Sequence, residues 1–445
     1  VTTDIEKYRA NANVLLRNPD DPQGIVNQFS VVSEKKENAA HYLPLARRAY
    51  ALDQNNINTV FNYASALHRN GRFKESLNLY LRCLEIADDE WRPVALHHVG
   101  IAFRALNIND RAAEYYQLAY DARPDPSIMK DKALAVLAGG DLYEGLKLFE
   151  ARKDSAQARF AKNGSRLVNQ QKLPENAVHW DGEDIAGKHI VVYHEEGAGD
   201  FIQVCRFIPR LRALKPASVK LCGPVPNLLD LVADNIAVDG VVPLAEFEAD
   251  YVVGSWSVPW RTGATYADVG GKPYFEAEPL KLPRRGALNV GLVWRGNPAY
   301  GMDVHRSMPF FTYAPLFDLP GVAFHSLQAG PPALEVTELG YDGFVANLEP
   351  FCSNWRQTAR VIQSLDVVVS VDTACAHLAG ALGKPVFILT TCASDWRWDR
   401  NSERSVWYDS ARVIRQATQD DWQPCIDRVR KGLRDILDER SRQAA

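Results

Sequence analysis

The 445-residue chain has no apolar run near the ~20 residues that a membrane helix requires. No charged-then-apolar leader is visible, so nothing in it points to secretion and the cytoplasm is the expected location. Cysteine is sparse. Cys83, Cys205, Cys222, Cys352, Cys375, Cys392 and Cys425 are scattered with no C-x-x-C pair. An odd, dispersed set reads as reduced thiols rather than a disulfide frame or a zinc site. No basic stripe offers itself to nucleic acid, and the net charge is −4. Hydrophobic residues at 46% and charged residues at 24% exclude wholesale disorder. The length, at ~150 residues per domain, predicts two or three domains.

The texture changes near residue 155. Up to that point the periodicity is helical, and a repeat is visible. Gly71, Phe73, Glu75 and Tyr80 in "NGRFKESLNLY" return as Gly140, Leu142, Glu144 and Phe149 in "GGDLYEGLKLF". Between them lies "LNINDRAAEYY", where Tyr116 matches Tyr80. Two such steps fit the ~34-residue helix–turn–helix unit of tetratricopeptide repeats. Ala64, Ala66, Ala102, Ala112 and Ala113 let paired helices approach closely, and Gly71 or Gly140 permits the turn between them. "LARRAYALDQNN" reads as the second helix of an earlier, degenerate unit. Stacks of this kind make a groove for an extended peptide or a partner helix. A plain helical bundle is the other reading of the same periodicity.

After residue 155, "HIVVY", "SVKLCG", "DYVVGSW", "NVGLVW", "VAFHSL", "DVVVSVD" and "PVFILTT" are short runs rich in Val and Ile, with helical stretches between several of them. That alternation predicts buried parallel strands with crossover helices. The segment "PLKLPRRGAL" at 279–288 divides them into two Rossmann-like halves. The last segment, "DDWQPCIDRVRKGLRDILDE", reads as a long amphipathic helix that could pack back across the halves.

Three places carry chemistry. In "VVYHEEGAGDFIQVCRFIPRL" a strand runs into a glycine turn (Gly197, Gly199) and then a helix expected to start at Asp200 or Phe201. Such a junction puts amides and side chains at the carboxyl edge of a parallel sheet, where ligands bind. It is neither a Walker A loop nor G-x-G-x-x-G, and an Asp at a helix start is equally an ordinary N-cap. In "LDVVVSVDTACAHLAGALGKPVFIL" a buried strand ends at Asp372-Thr373. Thr373 can cap the following helix, whose amides at Thr373 and Ala374 would face a phosphate. Ala374, Ala376, Ala379 and Gly380 keep that helix slim, and His377 lies one turn in. The third place is a set of loop residues: Trp294, Arg295, Asn297, Arg306, Gln328, Asp395, Trp396, Arg397 and Trp398. Trp and Arg there can stack on a base and neutralise a diphosphate, or serve as structural loop contacts.

These residues carry a family resemblance. From about 57 to 440, "GDLYEGLKLFEAR", "HWDGEDIAGK", "EEGAGDFIQVCRFIPRL", "VGLVWRGNP", "RSMP", "SLQAG", "SVDTACAHLAGALGKPV", "DWRW" and "VWYDSARVIRQ" follow one another in one order. The chain resembles proteins that fuse tetratricopeptide repeats to a heptosyltransferase-like glycosyltransferase of the two-domain GT-B fold. The resemblance implies helical repeats at 1–155, an acceptor-side Rossmann-like domain at 156–285, and a nucleotide-sugar donor domain at 286–445 with a closing helix. It implies an inverting reaction with Asp200 as the base. Arg306 would lie near the donor phosphates, and Asp372 and Thr373 would hold the diphosphate with Ala374 and His377 beside them. Gln328, Trp396 and Arg397 would line the donor. The chain has no D-x-D, so no metal or other cofactor is expected beyond the nucleotide-sugar substrate.

Two departures from relatives bear on the donor sugar. The turn reads Glu195-Glu196-Gly197-Ala198-Gly199-Asp200 rather than Glu-Gln-Gly-Leu-Gly-Asp, and Asp399, Arg400, Ser402 and Val406 replace the residues that usually follow "DWRW". A peptide-binding stack fused to a transferase predicts a protein acceptor in the groove, with flagellin the client suggested by family analogy. Glycan or lipopolysaccharide assembly, and a catalytically silent scaffold, are the alternatives.

Overall fold

The computed structural model describes residues 4–33, 39–154, 167–168, 171–174, 176–244, 246–281, 286–298, 300 and 303–444. The chain divides into two compact units, Val1–Gly139 and Gly140–Ala445.

The first unit is built from helices α1 (Asp4–Arg17), α2 (Pro22–Ser33), α3 (Ala39–Leu52), α4 (Ile57–Arg69), α5 (Phe73–Ile86), α6 (Arg92–Ala105), α7 (Asn109–Ala122) and α8 (Pro126–Ala138). The second unit opens with α9 (Leu142–Leu148) and a 3₁₀ turn, Phe149–Lys153. Side-chain caps start three of these helices. Asn56 accepts the Asn58 amide, Asp125 that of Ser127 and Asp141 that of Glu144, each bond meeting a donor the helix leaves open. The turns between successive helices at Gly71, Asn107 and Gly140 are all left-handed, with φ of 73°, 61° and 99°. Glycine adopts that region freely and asparagine is among the few others to visit it. The middle repeat therefore turns on Asn107, where no glycine marks it.

The repeat register is visible in what is buried. Five residues past each turn residue stand Ser76, Ala112 and Gly145, and nine past stand Tyr80, Tyr116 and Phe149, all buried. Small residues let the helices close up, and the aromatic ring fills the space beyond. Tyr80 packs near Phe61 and His98, and Tyr116 near His97. In the third repeat the ring changes company. Phe149 meets Trp256 edge-on at 6.2 Å, and Tyr143 of α9 faces Trp260. For that reason the compact division falls at Gly139–Gly140, earlier than the change of texture near 155.

The second unit holds a short antiparallel pair, β1 (Leu167–Val168) with β2 (Gln171–Lys172), and two parallel sheets. The first has the order β4-β3-β5, from β3 (His189–Tyr193), β4 (Ser218–Cys222) and β5 (Tyr251–Gly254). Between these strands run α10 (Ala198–Val204), continued by a 3₁₀ stretch to Leu214, and α11 (Pro226–Asn235); α12 (Ser257–Arg261) follows β5. The second sheet has the order β11-β10-β9-β6-β7-β8. Its strands are β6 (Leu288–Val293), β7 (Val322–Ser326), β8 (Val345–Asn347), β9 (Val367–Val371), β10 (Val386–Thr390) and β11 (Ala411–Arg415). Its helices are α13 (Asp303–Arg306), α14 (Glu335–Glu338), α15 (Trp355–Ser364), α16 (Ala374–Ala381) and α17 (Gln423–Ala444).

All seven Val/Ile runs read from the sequence are strands. β8 and β11 were not among them. β8 is three residues long, and β11 alternates buried and exposed at a sheet edge. β6, β9 and β10 are buried along their whole length, as strands covered on both faces are. The core of this half joins Leu292, Trp294, Phe310, Val369 and Leu389 to Trp422, just ahead of α17, and to Ile426, Val429 and Leu433 of that helix. The last helix thus packs on the second sheet, where burial of each large side chain is worth about 1.5–3 kcal/mol. In the segment 279–288, residues 282–285 lie outside the described residues. Among the described residues no helix is long and apolar enough to cross a membrane.

Strand order fixes where a ligand can enter. In the second sheet, chain connections leave β6 and β9 in opposite directions, which opens a crevice beyond their carboxyl ends. β6 runs into Trp294 and Arg295, and β9 into Asp372 and Thr373. In the first sheet the reversal lies beside β3, which runs into the glycine turn.

Candidate active site

The glycine turn and α16 meet. A Cβ on Gly199 would stand 2.8 Å from the His377 ring and 3.2 Å from the Ala374 Cα. Only a residue without a side chain lets the first turns of α10 and α16 abut. α10 begins at Ala198 with Gly197 as N-cap, two residues ahead of the start read from the sequence. Asp200 is accordingly the third residue of the helix. Its Oδ2 accepts the Gly197 amide at 3.0 Å, the backward half of a capping box. Its Oδ1 is paired with the Arg397 guanidinium. Asp200 is therefore not the N-cap itself, which is Gly197; one of its oxygens closes the capping box and the other pairs with Arg397.

Arg397 joins the two halves. It donates through Nε to Gln203 Oε1 at 2.6 Å and through Nη1 to Asp395 Oδ1 at 2.7 Å, besides its pair with Asp200. Its guanidinium lies over Trp396 at 4.7 Å and Trp256 at 5.3 Å. Burial opposes its charge, but the carboxylates of Asp395 and Asp200 outweigh burial and raise its pKa. Trp396 is buried between Trp256 and Trp407. Its ring is occupied by packing and by Arg397, rather than open for stacking on a base.

At the end of β9, Arg306 donates through Nη1 to the Asp372 carbonyl at 3.0 Å and through Nε to Asp303 Oδ1 at 2.8 Å. Burial, and then the charge of Asp395, push the Asp372 carboxyl up to about 6, against the pull of Trp398, Arg306 and Arg397. Thr373 is the N-cap of α16, but its hydroxyl bonds Ser370 Oγ at 2.9 Å and makes no cap. The expected hydroxyl cap is absent because a buried serine one turn back along the strand takes the same hydroxyl. The helix end is thereby left without a side-chain cap, a state suited to an anion from outside.

His377 is enclosed. Its Nδ1 bonds the Tyr408 hydroxyl at 2.9 Å, its ring stacks on Trp398 at 5.3 Å, and its Nε2 stands 3.8 Å from Asp372 Oδ1. Burial, and then the positive charges of Arg397, Arg206 and Arg306, hold its pKa well below the ordinary value. The imidazole is neutral near pH 7. Gln328 is also buried. Its Oε1 accepts the amides of Trp294 at 3.1 Å and Arg295 at 2.9 Å, and its Nε2 donates to the carbonyls of Arg295 and Ala329. That side chain shapes the loop after β6 through backbone bonds.

The structure brings Gly197, Gly199, Asp200, Asp372, Ala374, His377 and Arg397 into one contiguous site, with Arg306 and Thr373 at its β9 edge and Gln328 behind the neighbouring strand. Gln203, Trp256, Ser370, Asp303 and Tyr408 belong to it as well and were not singled out from the sequence. Gln203 follows Asp200 by three positions, so helical spacing on α10 is the signal that places both on one face. Among the described residues no group of three or more His, Cys, Asp and Glu side chains is placed to hold a metal ion.

A helical repeat unit is followed by two parallel sheets, with a glycine turn and a helix N-terminus meeting at their carboxyl ends, and this arrangement is similar to tetratricopeptide repeats joined to a heptosyltransferase-like α/β part. Residues 55–125 match the tetratricopeptide repeat and residues 351–429 match glycosyltransferase family 9 (heptosyltransferase), so the chain carries segments of both. Protein FlbA of Caulobacter vibrioides is 26% identical over 339 residues, which is 68% of this chain and 54% of that protein. The chain therefore spans about half the length of the curated relative it matches. Among solved structures, the E. coli ADP-heptose LPS heptosyltransferase II aligns with 57% of this chain and 99% of its own, at 16% identity and a TM-score of 0.40. YrrB, a TPR protein with an unusual peptide-binding site, aligns with 34% of this chain and 76% of its own, at 17% identity and a TM-score of 0.28.

Proposed function

We propose that the protein is an inverting, metal-independent glycosyltransferase that moves a sugar from a nucleotide-sugar donor to a hydroxyl of a protein acceptor chosen by the repeats. The observation that carries this reading is the contact of Gly199 with Ala374 and His377. It brings a carboxylate, Asp200, to the uncapped N-terminus of α16, inside the segment matched to glycosyltransferase family 9. In the reaction the acceptor oxygen attacks the anomeric carbon as the bond from that carbon to the phosphate oxygen breaks. The bonding pair leaves with the nucleotide, and the acceptor proton passes to Asp200. Each carboxylate oxygen has two acceptor sites. Arg397 and the Gly197 amide use one on each oxygen, so lone pairs remain for the proton. Charge developing on the leaving phosphate is met by Arg306 and the amides of Thr373 and Ala374. Flagellin is the first client to test.

The test begins with calorimetry of UDP, ADP, GDP and CMP on the purified chain. One nucleotide is expected to bind, and binding of none counts against the reading. With its sugar donor, Asp200→Ala should abolish turnover while nucleotide binding survives. Retained turnover removes Asp200 from the base role. Co-expression with flagellin should add sugar mass to it. If sugar instead appears only on a glycan or lipid, the match to a heptosyltransferase family favours glycan assembly.

A further inference from the structure

Arg152 breaks the repeat pattern. Twelve residues past the turn residues, the first two repeats bury Cys83 and Ala119, and the third buries Arg152 at the same position. A small apolar residue would fill that position without desolvating a charge. A buried ion pair is a poor source of stability, often no better than apolar packing of the same volume. Its retention calls for another role.

The arginine's partners show where it acts. Its side chain is 3% exposed. Nη2 donates to Glu195 Oε2 at 2.7 Å and to Ser257 Oγ at 3.0 Å, and Nη1 donates to Glu150 Oε1 at 2.7 Å and to the Phe149 carbonyl at 3.1 Å. The Ser257 hydroxyl closes the ring by donating to Glu150 Oε1 at 2.7 Å. Glu195 is the first residue of the turn that carries Asp200. Its carboxylate also accepts the Trp256 amide at 3.3 Å. The next residue, Glu196, sits at φ 59°, a left-handed conformation that costs a non-glycine residue about 1–2 kcal/mol. A strained turn of this kind persists only where its surroundings hold it. Trp256 in turn presents its ring to Arg397, the partner of Asp200. Arg152 therefore reaches Asp200 by two routes, along the turn 195–200 and through Trp256 and Arg397.

We propose that Arg152 is a positioning residue for glycosyl transfer, locking Glu195 and Trp256 so that the turn presents Asp200 to the acceptor, an inference that rests on the transferase reading. The bonds described above run to Glu195, Ser257, Glu150 and Phe149 and leave Arg306, Asp372, Thr373 and Ala374 untouched, so nucleotide binding should not depend on it.

The experiment uses the full chain, with nucleoside diphosphate release from UDP-, GDP- and ADP-sugars, water as acceptor, as the turnover readout. Arg152→Met is expected to lower kcat by about 10²-fold, the effect of a small misplacement of a reacting group, with KM for the donor and the calorimetric affinity for the nucleotide unchanged. Arg152→Lys should recover part of the loss. A merely structural role would instead raise KM and weaken nucleotide binding along with kcat. Should Arg152→Met fold poorly, Glu195→Gln keeps the volume and tests the same lock. Wild-type kcat in these variants, or a loss of nucleotide affinity as large as the loss of kcat, overturns the proposal. A wild-type chain that binds no nucleotide and releases none refutes the transferase reading itself.

Discussion

Replacing Asp372 by asparagine should stabilise the second unit above pH 6 and leave it unchanged near pH 3. The carboxyl stands at the end of β9 with its side chain 20% exposed. Burial and the charge of Asp395 raise its pKa from the ordinary 3.8 to about 6. Below about pH 3 the group is protonated in folded and unfolded chains alike. Between 4 and 6 the unfolded chain has released the proton and the folded chain still holds it, so stability falls as pH rises through that window. Two pKa units correspond to about 3 kcal/mol. Asparagine keeps the shape and cannot ionise. The variant's advantage should therefore grow from near zero at about pH 3 to about 3 kcal/mol at about pH 7.5. Nine of the ten tryptophans lie in the second unit, so urea unfolding followed by tryptophan fluorescence reports on it. A difference between wild type and variant that stays flat from pH 4 to 8 would refute the reasoning.

Two further outcomes are expected. Arg306→Ala should weaken nucleoside diphosphate binding about tenfold or more, since a charged hydrogen bond contributes about 1.5–3 kcal/mol; unchanged affinity by calorimetry contradicts it. Gly199→Ala places a methyl 2.8 Å from the His377 ring. Overpacking of that kind costs about 1–3 kcal/mol, so both the unfolding midpoint and turnover should drop, and a variant matching wild type in both shows that the helix ends need not abut.

Much of the fold was legible because its signals are local. The Gly71 and Gly140 turns, the rings of Tyr80, Tyr116 and Phe149, and the seven Val/Ile runs each follow from backbone sterics and from burial at short sequence spacing. Asn107 escaped as a turn because asparagine only tolerates the left-handed region that glycine favours. β8 and β11 escaped because a three-residue strand and an edge strand lack the continuous apolar run of a buried one. Asp200, Arg306 and the Asp372-Thr373 block were legible as residue types at strand ends, where a parallel sheet offers its ligand crevice.

Partnership was decided in three dimensions. Nothing in the order of residues says that Arg397 pairs with Asp200, that Tyr408 holds His377, or that Ser370 takes the Thr373 hydroxyl and leaves α16 uncapped. Nor does it say that the segment ending the third repeat is built into the α/β half through Arg152 and Glu195. By itself the sequence determined the elements and the chemical types at their ends, since those depend on each residue and its near neighbours. Tertiary structure alone decided which charges neutralise one another, which aromatic is buried rather than offered, and which carboxyl is driven toward neutrality. Desolvation and ion pairing depend on distances between groups far apart in the chain, and only packing sets them.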